Sequence, residues 1–190
     1  MDTSELLTED SDWHLTVSGF EPAREHGVET LLTIANGYAG TRGAVEEGSP
    51  ASRMGTYLAG IFDPMRQTPD PPRELSETPC LVRAPDWLGL IFELDGERLT
   101  LEHGQVLAHE RILDLCQGVM VHRWHHRLPS GRILQLLTFR CLSLSDRHVF
   151  LQRAWITLEG RSVRVRLAAT LDGRKAGVRA LSTDRGSRRA

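Results

Sequence analysis

The 190-residue sequence lacks any long apolar segment. No run approaches the ~18–20 apolar residues that a transmembrane helix needs, so no membrane contact is predicted. The start, MDTSELLTED, has neither basic residues nor an apolar core, and no secretory signal is predicted. The cysteines, Cys80, Cys116 and Cys141, are odd in number and include no C-x-x-C pair. This pattern predicts buried free thiols in a reducing cytoplasm rather than a disulfide framework or a zinc site.

The sequence also lacks a strong charge of one sign. Its formal net charge is -2, and Lys175 is the single lysine among 23 basic residues. Nothing in this balance indicates a polyanionic partner, and codon bias in a GC-rich genome is the simplest explanation for the arginine excess. The C-terminal end is basic, but no aromatic residue follows Trp155 to stack on bases. Nucleic-acid binding is therefore not predicted.

No long segment shows the 3.6-residue apolar period of an amphipathic helix. Residues 13–20 instead alternate between apolar and polar, as a half-buried strand does. Turn signals at Asp95-Gly96 and at residues 128–131 each separate two strand-like segments and predict β-hairpins. Many short strands at close spacing predict an all-β protein, a sandwich or barrel with antiparallel neighbours.

Four further segments complete the predicted organisation. Residues 28–35 are rich in β-branched side chains and are predicted as a strand, preceded by a connection at residues 21–27. Residues 63–79 contain five prolines and are predicted as an exposed loop. Residues 174–190 are basic and poor in apolar side chains, which predicts a poorly ordered tail. One β domain is therefore predicted over residues 1–173.

The most informative stretch is residues 28–48, VETLLTIANGYAGTRGAVEEG. Glycines recur at every third position from Gly37 to Gly43, which indicates positive φ or the close approach of another backbone. The spacing is not that of a dinucleotide-binding fingerprint, and the Gly-Lys-Ser/Thr of a P-loop is missing. Residues 40–43 (GTRG) match the G-X-X-G loop of KH domains, but the helices of that fold are not predicted around them. A phosphate or nucleic-acid site is therefore not favoured here.

Glu46 and Glu47 close this stretch and have the side-chain type of a glycosidase pair. Adjacent residues on an extended chain point to opposite faces. An inverting pair, by contrast, must converge on the sugar from ~6.5–9.5 Å apart. Direct catalysis by these two residues is therefore not expected. We expect them to contact solvent or another domain instead. The sharper hypothesis is a supporting role in closing the active site of a larger enzyme.

His122, His125 and His126 have the composition of a metal cluster. On a strand, His122 and His126 share one face but stand about 13 Å apart at ~3.3 Å per residue. That separation is too large for both rings to reach one zinc ion at ~2.0–2.1 Å. Partly buried or hairpin-surface histidines are favoured, and no metal site is predicted.

The four tryptophans could form a platform that stacks on sugar rings. Each lies in an alternating apolar segment, however, and such residues usually pack in a core. Core packing is therefore favoured over a platform. Trp87, which follows a Pro-Asp pair, is predicted to be the most exposed of the four.

A series of short segments, in order along nearly the whole chain, carries a family resemblance. They are Trp13, residues 29–31 (ETL), 36–38 (NGY), 40–43 (GTRG), 46–48 (EEG), 55–57 (GTY) and 60–61 (GI), 84–87 (APDW), 95–96 (DG), Arg111 with 113–115 (LDL), Gly118, Arg140 with 143–144 (SL), and 171–173 (LDG). The series resembles the N-terminal domain of family 65 glycoside hydrolases, the maltose, trehalose and kojibiose phosphorylase group. The resemblance implies a large two-layer antiparallel β-sandwich of the galactose-mutarotase-like kind, truncated in this chain.

In that family the sandwich packs against an (α/α)6 barrel that carries the catalytic acid and the phosphate-binding residues. The resemblance implies a non-catalytic domain that supports such a barrel, in cis or from a neighbouring chain, with homodimer formation as a further option. It implies no catalytic residue and no cofactor in this chain; inorganic phosphate and an α-linked disaccharide would be substrates of the complete enzyme only. The implied candidates for the substrate rim or domain interface are Asn36, Gly37, Tyr38, Arg42, Gly43, Glu46, Glu47 and Trp87.

Two other hypotheses remain open from the sequence. A stand-alone carbohydrate-binding module predicts an exposed aromatic platform and disaccharide binding by the isolated chain. A truncated gene product without an independent role predicts an exposed apolar sheet edge or face and a tendency to aggregate.

Overall fold

The computed structural model describes residues 5–66, 77–160 and 163–173. Within these ranges the chain has a short 3-10 turn at Ser11–Trp13 and one α-helix, α1 (Pro22–Leu31). Its strands, in chain order, are β1 (His14–Ser18), β2 (Ile34–Ala35), β3 (Ala39–Thr41), β4 (Thr56–Arg66), β5 (Glu77–Ala84), β6 (Leu90–Leu94), β7 (Glu97–Arg98), β8 (Gln105–Asp114), β9 (Val119–Arg127), β10 (Ile133–Leu142), β11 (Phe150–Leu158) and β12 (Val165–Ala169). No helix in the described part is long and apolar enough to cross a membrane.

The strands form three antiparallel sheets. The largest has the order β1-β8-β9-β10-β11, and its last four strands follow one another along the chain as a meander. The other two sheets have the orders β2-β3-β4-β5 and β12-β6-β7. An isolated antiparallel bridge between Asp86 and Asp172 lies just beyond the β6–β12 ladder. The predicted all-β architecture with antiparallel neighbours is confirmed.

One face of the five-stranded sheet packs against the smaller sheets and α1 through two apolar clusters. The first cluster joins β6 and the loop after β7 to β9 and β10, with members Val45, Leu90, Phe92, Leu94, Leu99, Leu101, Trp124, Leu128, Leu134 and Leu136. The second joins α1, β2 and β3 to the other end of the same face, with members Val28, Leu32, Ile34, Ala39, Leu113, Met120 and Leu142. Two layers therefore share one core, as the predicted β-sandwich requires.

Both predicted hairpins are confirmed. The β6–β7 turn is made by Asp95 (φ 51°) and Gly96 (φ 87°). Positive φ at both central positions is typical of the two-residue turn whose twist matches that of antiparallel strands. The β9–β10 connection closes through hydrogen bonds from Leu128 N to Arg132 O at 2.8 Å and from Gly131 N to Leu128 O at 2.8 Å.

The prediction of a strand over residues 28–35, after a connection at 21–27, is wrong for residues 22–31, which form α1, and the strand β2 covers only residues 34–35. Pro22 suits the first turn of a helix, where its missing N–H has no intrahelical partner to lose. The buried positions recur with the i, i+3, i+4, i+7 spacing of one helix face: Glu25, Val28, Glu29 and Leu32. Two of these four positions are glutamates, so a search for apolar side chains does not find the period.

The predicted loop over residues 63–79 is also wrong at both ends. β4 continues through residue 66 and β5 begins at residue 77, while residues 67–76 lie outside the described part of the chain. Pro64 lies opposite Pro79 in the ladder. There β4 pairs with β5 alone, since β3 reaches only residues 56–58. Proline fits a strand where its missing N–H would point away from a partner.

The predictions for the cysteines are confirmed only in part, and those for the C-terminal tail and the domain boundary are not tested. Cys116 and Cys141 are free thiols as predicted, but Cys116 is exposed in the β8–β9 turn and only Cys141 is partly buried. The side chain of Cys80 lies outside the described residues. The predicted tail, residues 174–190, also lies outside them, so the domain boundary at residue 173 stays a prediction.

Two glycines provide a matched test of the contact between α1 and the segment after β3. A Cβ on Gly43 would overlap the Leu32 Cβ and lie 2.7 Å from the Leu32 carbonyl oxygen, whereas a Cβ on Gly27, inside α1, meets nothing within 4 Å. We expect Gly43→Ala to lower the free energy of unfolding by about 1–3 kcal/mol. We expect Gly27→Ala to raise it by about 0.5–1 kcal/mol. Urea unfolding measures both changes, and equal effects would contradict the close packing.

Candidate functional site

A row of polar side chains crosses the inner face of the five-stranded sheet. Arg111 of β8, His122 of β9 and Thr138 of β10 lie opposite one another in register, so their side chains stand side by side. Arg140, two residues further along β10, is on the same face. All four are buried. This polar row separates the two apolar clusters, because the flanking residues on β9 and β10 belong to one cluster on each side.

The carboxylate of Glu46 enters the polar row from the segment between β3 and β4. Its Oε1 accepts hydrogen bonds from Thr138 Oγ1 at 2.5 Å and from Arg140 Nη2 at 2.6 Å. Its Oε2 lies 2.7 Å from His122 Nδ1. Burial alone would raise the pKa of Glu46, but the charges of Arg140 and His122 hold it far below its usual range. The carboxylate is therefore ionised, and both of its oxygens have hydrogen-bond partners.

The hydrogen bonds continue from Glu46 through two histidines. Nδ1 of His109 donates to the Gly19 carbonyl oxygen at 3.0 Å, since a carbonyl can only accept. Nε2 of His109 then accepts from Nε2 of His122 at 3.0 Å. Burial, reinforced by the charges of His122 and Arg111, lowers the pKa of His109 to about 3, so its ring is neutral. The 2.7 Å contact between His122 Nδ1 and Glu46 Oε2 is a hydrogen bond in which one of the two atoms carries the proton, because two bare acceptors would repel at this distance.

Two glutamates of α1 are held in the same region. Glu25 makes a two-pronged ion pair with Arg111, with both N–O distances at 2.7 Å. Glu29 accepts hydrogen bonds from Ser52 Oγ at 2.5 Å and from the backbone N of Arg53 at 2.9 Å. Buried carboxylates with partners of this kind fix the positions of the elements that carry them.

Glu47 is the exception among the buried carboxylates. Its side chain is 4% exposed, and neither of its carboxylate oxygens has a hydrogen-bond partner in the described part of the chain. Burial and the neighbouring charge of Glu46 raise the pKa of Glu47 to about 8. Both residues are in a turn, so their carboxylates converge, and with His122 they offer ligand atoms within 4.8 Å of one another. The prediction that the two side chains diverge is therefore wrong, as is solvent contact; the alternative contact with another domain stays a prediction.

Two open spaces flank Glu47. A cleft of about 590 Å³ is lined by Glu47, by Glu97 and Arg98 of β7, and by loop residues that include Glu102. In this cleft Glu102 accepts a hydrogen bond from Ser49 Oγ at 2.8 Å. A smaller cavity of about 160 Å³ has Glu46 and Glu47 in its wall. The smaller space suits an ion, whereas a disaccharide fits only the larger one.

The predicted site residues Asn36, Gly37 and Tyr38 lie together, away from Glu46. They form the β2–β3 turn, where Gly37 has φ 82° and the Asn36 side chain accepts from Tyr38 N and Ala39 N. The Asn36 amide also donates to the Ser143 carbonyl at 2.8 Å. This group therefore connects the small sheet to the β10–β11 loop.

The remaining predicted residues have local partners. Arg42 Nη2 donates to the His26 carbonyl at 2.7 Å and lies 3.4 Å from Glu29. Gly43 packs against the end of α1. Trp87 is partly buried, with its ring 5.6 Å from that of Phe150. A rim or interface role for the predicted set stays a prediction, because the structure contains this domain alone.

The solvent exposure of several tryptophans and histidines differs from the predictions. Trp124 is buried in the core, as predicted, but Trp13 is 49% exposed, so the prediction that Trp87 is the most exposed is wrong. His122 and His126 share the inner face with Trp124 and are fully buried rather than partly. His109, Arg111 and Arg140 were missed as site residues. Their signal is a polar side chain on the apolar face of a strand, such as Arg140 between Leu136 and Leu142.

The comparison with known families decides which one the chain belongs to. Residues 15–187 match the family described as "Glycosyl hydrolase family 65, N-terminal domain". The chain belongs to this family. A kojibiose phosphorylase from Thermoanaerobacter brockii is 31% identical over 172 residues, which are 90% of this chain and 21% of that protein. One from Caldanaerobacter subterraneus subsp. tengcongensis is 32% identical over 153 residues, 80% of this chain and 19% of that protein.

A solved structure shares the fold of this family 65 N-terminal domain. It is a candidate kojibiose phosphorylase from the human microbiome, with a TM-score of 0.68 and 21% identity over 77% of this chain and 20% of that one. At this identity the likeness shows the fold alone. The chain spans about a fifth of the length of the curated relatives it matches.

The ion pairs of Glu46 can be tested by an isosteric change. Glu46→Gln leaves the buried guanidinium of Arg140 without its counter-charge, so we expect the free energy of unfolding to fall by about 3–5 kcal/mol. Asp95→Asn is the control, because Asp95 pairs with Arg132 on the surface and its loss should change little. Urea unfolding of the two variants distinguishes them, and similar losses would contradict the special role of Glu46.

We expect the titration of Glu47 to make the free energy of unfolding depend on pH. Its pKa rises from 4.5 in the unfolded chain to about 8 in the fold, so its contribution is complete below pH 4.5 and is lost as the pH rises to about 8. His109, whose pKa falls from 6.5 to about 3, acts in the opposite sense below pH 6.5. Between pH 6.5 and 8 stability should therefore fall with rising pH, by up to about 1.4 kcal/mol per pH unit.

Glu47→Gln is the matched variant for this measurement. It removes the titrating carboxyl without breaking a described hydrogen bond, so its stability profile should be flatter between pH 6.5 and 8. Unfolding is followed with urea in the presence of a chelator, so that no metal ion contributes. Identical slopes for the variant and the parent would show that Glu47 does not titrate in this range.

Proposed function

We propose that this domain is a non-catalytic part of an enzyme that cleaves α-linked glucosides, and that it supports an (α/α)6 catalytic barrel which this chain does not contain. The observation that carries the proposal is the match to kojibiose phosphorylases that are about five times longer than the matched region. In the complete enzyme an α-linked disaccharide and inorganic phosphate are the proposed substrates. The domain itself contributes no cofactor to that reaction.

The state of the buried carboxylates supports a structural role. Glu25, Glu29 and Glu46 each bind a cation or backbone donors within the domain. An inverting glycosidase needs one carboxylic acid and one carboxylate that face the sugar from opposite sides. Glu46 and Glu47 are buried side by side, and Glu46 is held as an ionised partner of Arg140. Both are therefore poorly suited to that chemistry.

An uncovered apolar face on β12 supports a larger assembly. Leu167 lies opposite Phe92, and Val165 opposite Leu94, so these pairs share one face of the sheet. Phe92 is 0% exposed, whereas Leu167 is 55% exposed. The core layer therefore covers β6 and leaves β12 open. Such a face is expected to pack against further parts of the complete enzyme, in cis or from a neighbouring chain.

Two finer points belong to the same proposal. We place the domain in the cytoplasm, where the free thiols of Cys116 and Cys141 stay reduced. We also propose that residues 36–48 and Trp87 contribute to the rim of the active site or to the contact with the barrel. A homodimer of the complete enzyme is compatible with this arrangement.

The proposal predicts that the purified chain has no activity by itself. The chain is incubated with kojibiose, maltose or trehalose, with and without phosphate, and glucose and glucose 1-phosphate are measured. We expect no release above the protein-free control. Co-expression with the barrel region of the Thermoanaerobacter brockii relative should give phosphate-dependent release of glucose 1-phosphate. Turnover by the chain alone would overturn the proposal.

Calorimetry with the same disaccharides separates this proposal from a stand-alone carbohydrate-binding module. The supporting role predicts no saturable binding to the isolated chain. A binding module predicts saturation at one site, with heat that is lost when an exposed aromatic residue such as Trp13 is replaced by alanine.

A further inference from the structure

We propose that Glu46, Glu47 and His122 bind one divalent metal ion inside this domain, with Zn²⁺ the best match to their donor atoms. The three residues offer two carboxylate oxygens and one imidazole nitrogen from fully or nearly fully buried side chains. Oxygen and imidazole donors of this kind are those that Zn²⁺ accepts, and an imidazole disfavours Mg²⁺ and Ca²⁺, which prefer oxygen alone. The site is independent of the enzymatic role proposed above.

The position of Glu47 is the main reason to infer a bound cation. A buried carboxylate without a partner is costly, and such groups in proteins are usually paired or bound to a metal. The carboxylate of Glu47 has no hydrogen-bond partner among the described residues, and it offers a ligand atom within 4.8 Å of one from Glu46. The two arginines of the polar row already pair with other carboxylates, Arg111 with Glu25 at 2.7 Å and Arg140 with Glu46 at 2.6 Å.

The distances allow an ion to be shared after a small adjustment. Ligands at ~2.0–2.2 Å from a tetrahedral Zn²⁺ lie about 3.3–3.6 Å from one another. His122 Nδ1 and Glu46 Oε2, now 2.7 Å apart, would separate by less than 1 Å. The ligand atoms of all three residues lie within 4.8 Å of one another, so Glu47 must approach by about 1.5 Å at most. Rotation of a glutamate side chain provides such a movement.

The hydrogen bonds of His122 orient its ring for metal binding. Its Nε2 donates to His109, which leaves Nδ1 directed at Glu46 and towards the proposed ion. A metal-bound histidine usually donates its other ring N–H to a neighbouring acceptor in this way. Binding replaces the proton between His122 and Glu46 and, below about pH 8, also the proton of the Glu47 carboxyl, and these protons leave to solvent. Arg140 and Thr138 remain on the other oxygen of Glu46 and orient it.

The site has space and a path from solvent. Glu46 and Glu47 line the cavity of about 160 Å³, which is large enough for an ion with a water ligand. Glu47 also borders the open cleft of about 590 Å³. An ion from this cavity can therefore reach the three ligands once Glu47 rotates and His122 and Glu46 move apart, and a water from the cavity can supply the fourth ligand of a tetrahedral site.

The experiment measures metal binding by the full chain. The purified protein is treated with a chelator, exchanged into metal-free buffer and titrated with ZnCl₂ while bound metal is measured by atomic absorption. We expect about one Zn²⁺ per chain and a Tm that rises with Zn²⁺ concentration. We expect Mg²⁺ and Ca²⁺ to bind at least tenfold more weakly. Absence of stoichiometric Zn²⁺ binding would overturn the proposal, and preference for Mg²⁺ or Ca²⁺ would overturn the assignment of the ion.

Two variants locate the bound ion. Glu47→Gln removes a ligand but no described hydrogen bond, so it should fold, and we expect at least tenfold weaker Zn²⁺ binding and loss of the Tm rise. Glu102→Gln is the control, because Glu102 is an exposed acid of the adjoining cleft and should leave binding unchanged. Circular dichroism without metal verifies that each variant is folded. Equal Zn²⁺ affinity in Glu47→Gln and the parent would place the ion elsewhere and overturn the proposal.

Discussion

The fold depends on how the charge of Glu46 is compensated inside the sandwich. Moving a carboxylate into a protein interior costs several kcal/mol unless its charge and its lone pairs are satisfied. Arg140, His122 and Thr138 satisfy both, and they stand on adjacent strands of the five-stranded sheet. Glu46 comes from a segment 76 to 94 residues earlier in the chain. This one side chain therefore fixes the segment after β3 on the centre of the sheet.

The same principle sets the position of α1. Glu25 of the helix reaches Arg111, and Arg111 also donates to the Gly43 carbonyl at 3.2 Å. The helix, the sheet and the segment leading to Glu46 therefore meet at one guanidinium. Apolar packing on either side of the polar row provides the driving force, and the ion pairs select one arrangement of the packed elements. Removing one partner of such a pair is damaging because it leaves a buried charge, not because the pair itself adds much stability.

The sequence predicts the parts of this structure that local patterns control. Asp95-Gly96 specifies its turn through positive φ, and alternation places His122, Trp124 and His126 on one face, so the hairpins and the all-β class follow from local rules. The family resemblance, not these rules, distinguishes a sandwich from a barrel. The helix α1 does not follow, because its buried face includes Glu25 and Glu29, whose partners are distant in sequence. The residues of the site could not be predicted from local patterns for the same reason. A buried arginine on β10 and a glutamate in a turn are recognisable as a pair only once the strands are in register.

Two of the unsatisfied features in the described part of the domain differ in chemistry. The face of β12 exposes apolar side chains, which only other apolar groups can cover. The carboxylate of Glu47 is buried, and packing against apolar groups would increase rather than relieve its desolvation. Apolar packing over β12 therefore does not replace a counter-charge at Glu47. Protonation or a bound cation meets that second requirement, and the convergence of His122 and Glu46 on the same point favours the cation.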